Sequence, residues 1–452
     1  MTISSNSAAG RSSFDEHHPP EQELLDDCVH CGFCLPTCPT YLVTGQEAES
    51  PRGRIYLMDL AARGEIPLDE AFGAHIDTCL GCLACVSACP SGVQYDKLIE
   101  AVRPQVERNI PRGRLDRLFR FLIFSLFPYP GRLRLAALLG AVYQRSGLRT
   151  LLHRSGVGRR LPGRLRALEA LMPDVEVRAL FRKYPERTPP RGPRRLAVGL
   201  LGGCVQRVFF GDVNAATVRV LAAEGCEVVI PRGAQCCGAL SIHAGYEADG
   251  LTRARRTIEL FEDYDVDVVV ANVAGCGSSM KDYAHLLRDD PDFRDRAAAF
   301  SAKVRDISEL LAELPVRAQR HPIRARVAYH DACHLANAQR IREQPRRVLE
   351  TIPGLELAPV PEADVCCGSA GIYNLVQSET AEELGQRKSD HLTSVEPDLV
   401  VTANAGCLLQ IRRFLDRTVP ILHPVQLLDA SISGHVPADW LTDASLTDDE
   451  SD

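Results

Sequence analysis

Cys28-Val-His-Cys31-Gly-Phe-Cys34-Leu-Pro-Thr-Cys38-Pro39 sets the character of the first hundred residues. Four cysteines stand at C-x2-C-x2-C-x3-C, with a proline after the last. The pattern returns at Cys79-Leu-Gly-Cys82-Leu-Ala-Cys85-Val-Ser-Ala-Cys89-Pro90. Three closely spaced thiolates wrap three corners of an iron–sulfur cube, and the fourth, released by its proline, reaches a second cube. The spacing assigns Cys28, Cys31, Cys34 and Cys89 to one [4Fe-4S] cluster and Cys79, Cys82, Cys85 and Cys38 to the other. Zinc takes its ligands in pairs and fits a repeated run of four badly. These eight are the expected cofactor-binding residues, and no catalytic residue is read.

Forty residues separate Cys38 from Cys79, too many for the short connection of a compact ferredoxin, and residues 55–63 read as a helix between them. This arrangement resembles the all-helical ferredoxin module of succinate dehydrogenase and related respiratory iron–sulfur subunits. Pro51-Arg-Gly-Arg54 could set cations or backbone N–H groups near cluster sulfurs and raise their potential. The alternative is that these arginines face solvent.

After Arg195 the texture becomes α/β. Short apolar runs at 196–201, 227–230, 266–270, 326–329 and 399–401 read as buried strands. Helix-period segments, such as 214–224 and 247–261, alternate with them, which argues for parallel sheets. This half repeats internally. Cys204 ends a strand, Cys236-Cys237-Gly238 follows after 32 residues, and Cys276 lies 40 after Cys236. Cys333 likewise ends a strand, Cys366-Cys367-Gly368 follows after 33, and Cys407 lies 41 after Cys366. Flanks agree, GAQCCGA with ADVCCGS and ANVAGCG with TANAGCL. Pointing both thiolates of a vicinal pair at one centre needs a tight turn, which Gly238 and Gly368 permit. Each set sits at strand C-termini, where ligand sites collect in open α/β sheets. Cys204, Cys236, Cys237 and Cys276, and Cys333, Cys366, Cys367 and Cys407, are therefore candidate metal ligands, for iron–sulfur, thiol redox chemistry or zinc. Cys226 has no counterpart in the second copy and reads as a core residue. His330-Asp331-Ala-Cys333-His334 marks the second copy alone. Histidines beside a thiolate could lower its pKa or deliver a proton, or they could be structural.

The chain has 452 residues, 17 cysteines and a net charge of −7. Its N-terminus carries no apolar core of the kind a secretory signal needs, so a cytoplasmic location is expected, where thiols bind metals rather than pair. Charge is uneven. Residues 103–195 hold 22 Arg/Lys against 6 Asp/Glu, a net of +16, which leaves −23 for the remainder. Such a stretch suits an acidic partner, an anionic membrane or nucleic acid, or is simply a solvated basic face. Within it, residues 119–127 are far short of the roughly 20 apolar residues that span a bilayer. Phe121, Phe124 and Phe127 amid arginines instead suggest an anchor on a membrane surface or a subunit contact. No G-x-G-x-x-G follows a strand in a βαβ setting, and no G-x-x-x-x-G-K-[ST] occurs. No flavin or nicotinamide is therefore expected on this chain.

Two ferredoxin runs followed by two paired-cysteine domains resemble the iron–sulfur subunit of glycolate oxidase (glycolate dehydrogenase). The motifs that carry the resemblance are CVHCGFCLPTCPTY at 28–41, SPRGRIYLM at 50–58, ACPSGVQY at 88–95, VCCGSAGIY at 365–373 and TANAGC at 402–407. It implies FAD-containing partner subunits that oxidise glycolate to glyoxylate. This chain would then relay electrons toward a membrane quinone or another acceptor, from the cytoplasm or the inner face of the cell membrane. The paired-cysteine domains also resemble those of heterodisulfide reductase, which hold noncubane [4Fe-4S] clusters. That pattern ends in C-x-x-C, whereas here Gly-Ser-Ser follows Cys276 and Leu-Leu-Gln follows Cys407, so one thiolate is missing from each copy. The expected fold is a multidomain α+β chain: an all-helical ferredoxin module and two tandem α/β CCG (cysteine-rich) domains. Its parts are a disordered 1–20, the di-cluster module at 21–110, and a basic helical segment at 111–194. CCG domains at 195–315 and 322–432 and an acidic tail at 433–452 complete it. Pro104, Pro111 and Gly113 mark the first boundary, residues 114–185 read as helices broken by Pro128, Pro130, Pro162 and Pro173, and residues 188–193 read as a linker. Two [4Fe-4S] clusters are expected, with one or two more in the CCG domains. The competing readings are the iron–sulfur subunit of a lactate or glycerol-3-phosphate dehydrogenase, and a heterodisulfide-reductase-like thiol/disulfide enzyme. Nucleic-acid binding is the weakest option and is not expected.

Overall fold

A computed structural model describes residues 11–156, 158 and 161–440 of the chain. The first ten residues and the acidic end from 441 lie outside the described residues. Before Arg187 the described residues form helices and no strand. Gln22–Asp26, Pro39–Thr44, Pro51–Ala62, Glu70–Asp77, Ala84–Ala88 and Tyr95–Asn109 build the module around the first eight cysteines. Local signals explain the starts. Pro39 and Pro51 occupy first-turn positions whose N–H would go unused. The Ser50 hydroxyl accepts from Gly53 N at 3.0 Å, and the Asp69 carboxylate accepts from Phe72 N at 2.9 Å. Leu98, Ile99, Val102 and Val106 line one face of Tyr95–Asn109 and bury against Ile55, Met58, Phe72 and Ile76. Each such side chain contributes roughly 1.5–3 kcal/mol.

Two expectations change here. Pro104 does not mark a boundary: it lies buried inside Tyr95–Asn109. Apolar packing on either side outweighs the one backbone hydrogen bond a proline removes. Residues 11–20 are not disordered. Phe14 is buried edge-on against Phe72, and the Asp15 carboxylate accepts from Arg108 Nε at 3.0 Å and Asn109 Nδ2 at 2.9 Å.

The basic segment forms Arg114–Leu126, Pro130–Arg145, Leu148–Arg154, Gly163–Ala170 and Val177–Leu180. The first two meet at 107° across Pro128, and no single helix among the described residues is long and apolar enough to cross a membrane. The three phenylalanines expected to act as one anchor do not share a face. Phe121 is exposed, whereas Phe124 sits edge-on to Tyr246 at 4.5 Å and Phe127 packs partly buried beside Ile123, Ile372 and Leu375. At 100° per residue each step of three turns the side chain by about 60°, so Phe127 lies about 120° round the helix from Phe121 and the row passes from solvent into the protein. The outward row is Leu115, Leu118, Phe121 and Leu122, continued by Leu135, Leu139 and Val142.

The rest is two sheets. In the first, β1 (Arg187–Thr188) lies antiparallel on β3 (Cys226–Val229), and β2 (Leu196–Leu201), β3, β4 (Val268–Ala271) and β5 (Val304–Asp306) run parallel in the order β1-β3-β2-β4-β5. In the second, β6 (Ala325–His330), β7 (Leu355–Ala358), β8 (Leu399–Thr402) and β9 (Ile421–Leu422) run parallel in the order β7-β6-β8-β9. The first strand of each copy is central, paired with the second on one side and the third on the other. Leu196 faces Cys226 in register and Val327 faces Leu399. Strand order therefore reverses beside β2 and beside β6, and it is there that a parallel sheet opens a crevice.

The copies are not independent. Val198, Leu221 and Val228 of the first share one core with Val327, Leu349, Val401 and Leu428 of the second. Arg320 Nη2 donates to the Glu224 carboxylate at 2.5 Å with both groups buried. Removing one partner there leaves a buried charge, at a cost of ~3–5 kcal/mol.

Candidate iron–sulfur centres

The first cysteine run is a loop ahead of Pro39–Thr44. Its turn needs left-handed backbone, supplied by Gly32 at φ 87° and His30 at φ 52°. Cys28, Cys31, Cys34 and Cys89 line one small cavity, with Arg52 and Ile55 on its wall. Cys38, Cys79, Cys82 and Cys85 line the next, and Cys85 borders both. The fourth cysteine of each run thus faces the other run's triplet. Cys31 is exposed, as are Val29 and Phe33 around it, while Cys38, Cys79, Cys82 and Cys85 are buried. The outer centre meets the surface and the inner one does not.

Of the two arginines, Arg54 does not face solvent. It is 1 % exposed. Its Nη2 donates to Glu49 Oε2 at 2.7 Å, its Nε to the His75 carbonyl at 2.7 Å, and its Nη1 to Thr40 Oγ1 at 3.2 Å. Thr40 Oγ1 is in turn 3.2 Å from Cys38 Sγ. Burial works against the Arg54 charge, but Cys79, Tyr95 and Cys38 hold it protonated above its usual range. Arg52 Nη1 donates to the His30 carbonyl at 2.9 Å beside the outer centre.

Burial also opposes the Cys79 thiolate, yet Arg54 and Arg103 pull its pKa below the ordinary thiol range. Tyr95 Oη and Gly81 N donate to Cys79 Sγ at 3.5 and 3.4 Å. Arg103 was not legible as part of a site. It reads as one charge on an amphipathic helix, yet its Nη2 donates to the Cys79 carbonyl at 2.6 Å. Burial pushes the Cys82 and Cys85 thiols well above the ordinary range, with Cys333 the next cause for Cys82. Dry thiols crowded on one another ionise when they bind a cationic centre, which is the behaviour of metal ligands.

Cys333 belongs to the second sheet, so the inner centre abuts the second copy. Asn337 Nδ2 donates to the Cys82 carbonyl at 3.0 Å and fixes that contact. Cys333 follows β6, and Cys333 Sγ lies 4.0 Å from Cys366 Sγ. Cys367 follows Cys366 directly, and its Sγ lies within 4.8 Å of that of Cys407, which stands in the first turn of the helix Ala405–Arg412 after β8. In the first copy Cys204 follows β2 and neighbours Cys236, and Cys237 neighbours Cys276 after β4, each thiol shifting the titration of the next. Each copy brings its four sulfurs into one chain at the reversal of strand order. Gly238 and Gly368 adopt φ 90° and 86°, and a Cβ would meet the Gly250 carbonyl oxygen at 2.8 Å or that of Ala381 at 2.9 Å. Cys226 lies apart, fully buried in β3.

Both sulfur chains face one cavity of about 560 Å³, walled by His243, His334 and the apolar side chains Leu126, Phe127, Leu133 and Met172 of the basic segment. His334 Nδ1 is 3.6 Å from Cys333 Sγ, and its ring lies 5.7 Å from that of His243. His330 lies elsewhere: it ends β6, is 1 % exposed, and joins Cys367 and Cys407 in a group whose ligand atoms lie within 4.8 Å of one another. The two histidines of His330-Asp331-Ala-Cys333-His334 thus approach different sulfurs of one set, His334 that of Cys333 and His330 those of Cys367 and Cys407. Asp331 turns away to Arg346, with Nη2 donating at 2.7 Å. His243 was not legible, since nothing in ALSIHAG marks a ligand environment. The donor sets, four thiols gathered in each copy, all buried in the second and half-buried at Cys204 and Cys276 in the first, fit a thiophilic metal or cluster.

Residues 24–93 match the family described as a 4Fe-4S dicluster domain. Residues 115–172 match the linker region of the glycolate oxidase iron–sulfur subunit, and residues 198–281 and 327–412 the cysteine-rich domain (CCG). A probable glycolate oxidase iron–sulfur subunit of Bacillus subtilis (strain 168) is 42 % identical over 401 residues, 88 % of this chain and 90 % of that protein. The glycolate oxidase iron–sulfur subunit of Escherichia coli (strain K12) is 35 % identical over 390 residues, 85 % of this chain and 89 % of that one. Lactate utilization protein A of Geobacillus thermodenitrificans (strain NG80-2) is 30 % identical over 238 residues, 52 % of this chain and 99 % of that one.

Proposed function

The chain belongs to the family of glycolate oxidase iron–sulfur subunits, and on that premise we propose that it is the electron-transfer subunit of a glycolate-oxidising complex. It takes electrons from FAD-containing subunits that convert glycolate to glyoxylate and passes them toward a quinone. Clusters bound at its cysteine sets supply one-electron carriers. The observation that carries the reading is the order of those sets. The outer set opens to solvent at Cys31, the inner set touches it through Cys85, Cys82 meets Cys333, and the second copy faces the first across a shared cavity. The protein's own part is positional: Arg54 and Arg103 hold positive charge beside the inner set, and Asn337 ties the module to the second copy. Exposed Val29, Phe33 and Tyr56 around the outer set form the surface on which a flavin subunit docks.

The reading extends to place. The outward row from Leu115 to Val142 lies within the segment of net charge +16, and apolar anchors among arginines suit the anionic inner face of the cell membrane. The lactate reading is weaker, because that relative covers only 52 % of the chain. The test is to purify the native complex anaerobically and assay acceptor reduction with glycolate, lactate and glycerol 3-phosphate. The isolated chain should carry no flavin absorbance and no turnover, and its flavin subunits should restore activity with glycolate. Turnover by this chain alone, or lactate oxidation in place of glycolate oxidation, overturns the assignment.

A further inference from the structure

His330 is the last residue of β6, three positions before Cys333. Side chains alternate along the strand, so Val327 and Tyr329 enter the core shared with the first copy. Ala328 and His330 point the other way, and Ala328 packs in the apolar cluster that holds Cys367 and Cys407. His330 is as buried as its neighbours, and both ring nitrogens lack a hydrogen-bond partner. A neutral imidazole carries one donor and one acceptor, so two unmet nitrogens in a dry site are costly unless something takes the lone pair. The groups within reach are the sulfurs of Cys367 and Cys407, inside 4.8 Å.

The first copy supplies the comparison. Leu201 ends β2 three positions before Cys204, and it packs in one apolar cluster with Cys237. The same strand position faces the vicinal pair in both copies, with a hydrocarbon in one and an imidazole in the other. The Ala363 carbonyl lies beside the ring, without hydrogen-bond geometry, where a metal-bound imidazole directs its other N–H.

We propose that His330 is a metal ligand of the second copy: its imidazole joins the thiolates of Cys367 and Cys407 on an iron of the cluster held there, whereas the first copy uses sulfur alone. The two copies are then different centres. A neutral nitrogen where a thiolate could stand removes negative charge from the site and raises its potential. Against the first copy the imidazole adds a neutral donor to an equal number of thiolates, so the two centres differ in ligand set and not in ligand charge.

The inference rests on the reading that the second copy holds a cluster, and the test separates the two. The full-length chain is produced with unlabelled and with 15N-labelled histidine, loaded with iron and sulfide anaerobically, and reduced. Iron is counted, and nitrogen hyperfine coupling is read by pulsed EPR. The expected result is iron beyond the roughly eight atoms of two cubes, with a strong coupling that changes with the isotope. That coupling persists in His334→Leu and His30→Leu and is absent in His330→Leu. His330→Cys should retain the iron and lower that centre's potential. Iron beyond eight without a histidine coupling overturns the ligand alone. No iron beyond eight, or zinc in its place, overturns the cluster reading and the ligand with it. The isotope comparison on the unaltered chain decides the matter even where a variant fails to fold.

Discussion

Arg54 offers the sharpest handle on the electron path. Its Nη1 is 3.2 Å from Thr40 Oγ1, which is 3.2 Å from Cys38 Sγ, so the guanidinium lies within about 6.4 Å of a sulfur of the inner set. At an effective dielectric of about 20 a unit charge at that distance is worth ~2.6 kcal/mol to the added electron. For a one-electron couple, at 59 mV per tenfold, this is ~110 mV. The Glu49 carboxylate at 2.7 Å is present before and after the change, so its field drops out of the difference and the expectation stays at ~110 mV. Arg54→Met should therefore lower the potential of the inner cluster by that amount. Glu49 is not orphaned by the change, because His75 Nδ1 stays 2.7 Å from its other oxygen. The assay is an anaerobic redox titration followed by EPR, with Arg52→Met as the comparison. Arg52 borders the outer set and is more exposed, so its change should move the outer cluster alone, and by less. A shift under ~20 mV in Arg54→Met with the inner cluster intact, or a shift confined to the outer cluster, would refute the argument.

Three other outcomes are expected. Cys89→Ser should remove or convert the outer cluster while the second run keeps its own triplet, since Cys89 faces the cavity of Cys28, Cys31 and Cys34; an unchanged outer EPR signal refutes the crossed arrangement. Leu118→Ser/Phe121→Ser/Leu122→Ser should abolish salt-sensitive flotation with anionic liposomes, while dissociation of the flavin subunit by the same change, with no liposome binding in the parent complex, makes that row a subunit interface. Burial pushes the Glu100 carboxyl up to about 8, with Asp282 the next cause. The folded chain keeps a proton there that the unfolded chain, at about 4.5, gives up. Its contribution is complete below 4.5 and is lost as pH rises through 8, at up to ~1.4 kcal/mol per pH unit. Glu100→Gln should flatten the fall of the urea midpoint between pH 5 and 9, and an unchanged slope refutes the assignment.

What could be read in advance follows from how local each signal is. The cysteine runs carry their chemistry in spacing alone, and the family matches bear out iron–sulfur binding there. The central strands β2, β4, β6 and β8 are nearly unbroken apolar runs because both faces are covered. Edge strands are different. β7, Leu-Glu-Leu-Ala, alternates and is half-exposed, and β1 is two residues at the start of what reads as a proline-rich linker. Neither has enough hydrocarbon to announce itself. Pro104 misleads for a related reason, since the rule about prolines is local and the packing that overrides it is not. The charged lining of the centres was the least legible part. Arg103, His243 and Asn337 come from three elements far apart in the chain and meet only when the module docks on the sheets.

The core that runs from Val198 to Leu428 has a consequence for how this chain tolerates change. Each sheet has an apolar layer of its own on one side, but its other side is covered only by the other copy, so deleting one would strip that side and expose a greasy wound. The first scaffold is therefore kept by the second whether or not its own thiols do any work. Its survival as folded polypeptide says nothing about usefulness. Four sulfurs held edge to edge are another matter, because serine or alanine at those positions would leave the shared interior untouched.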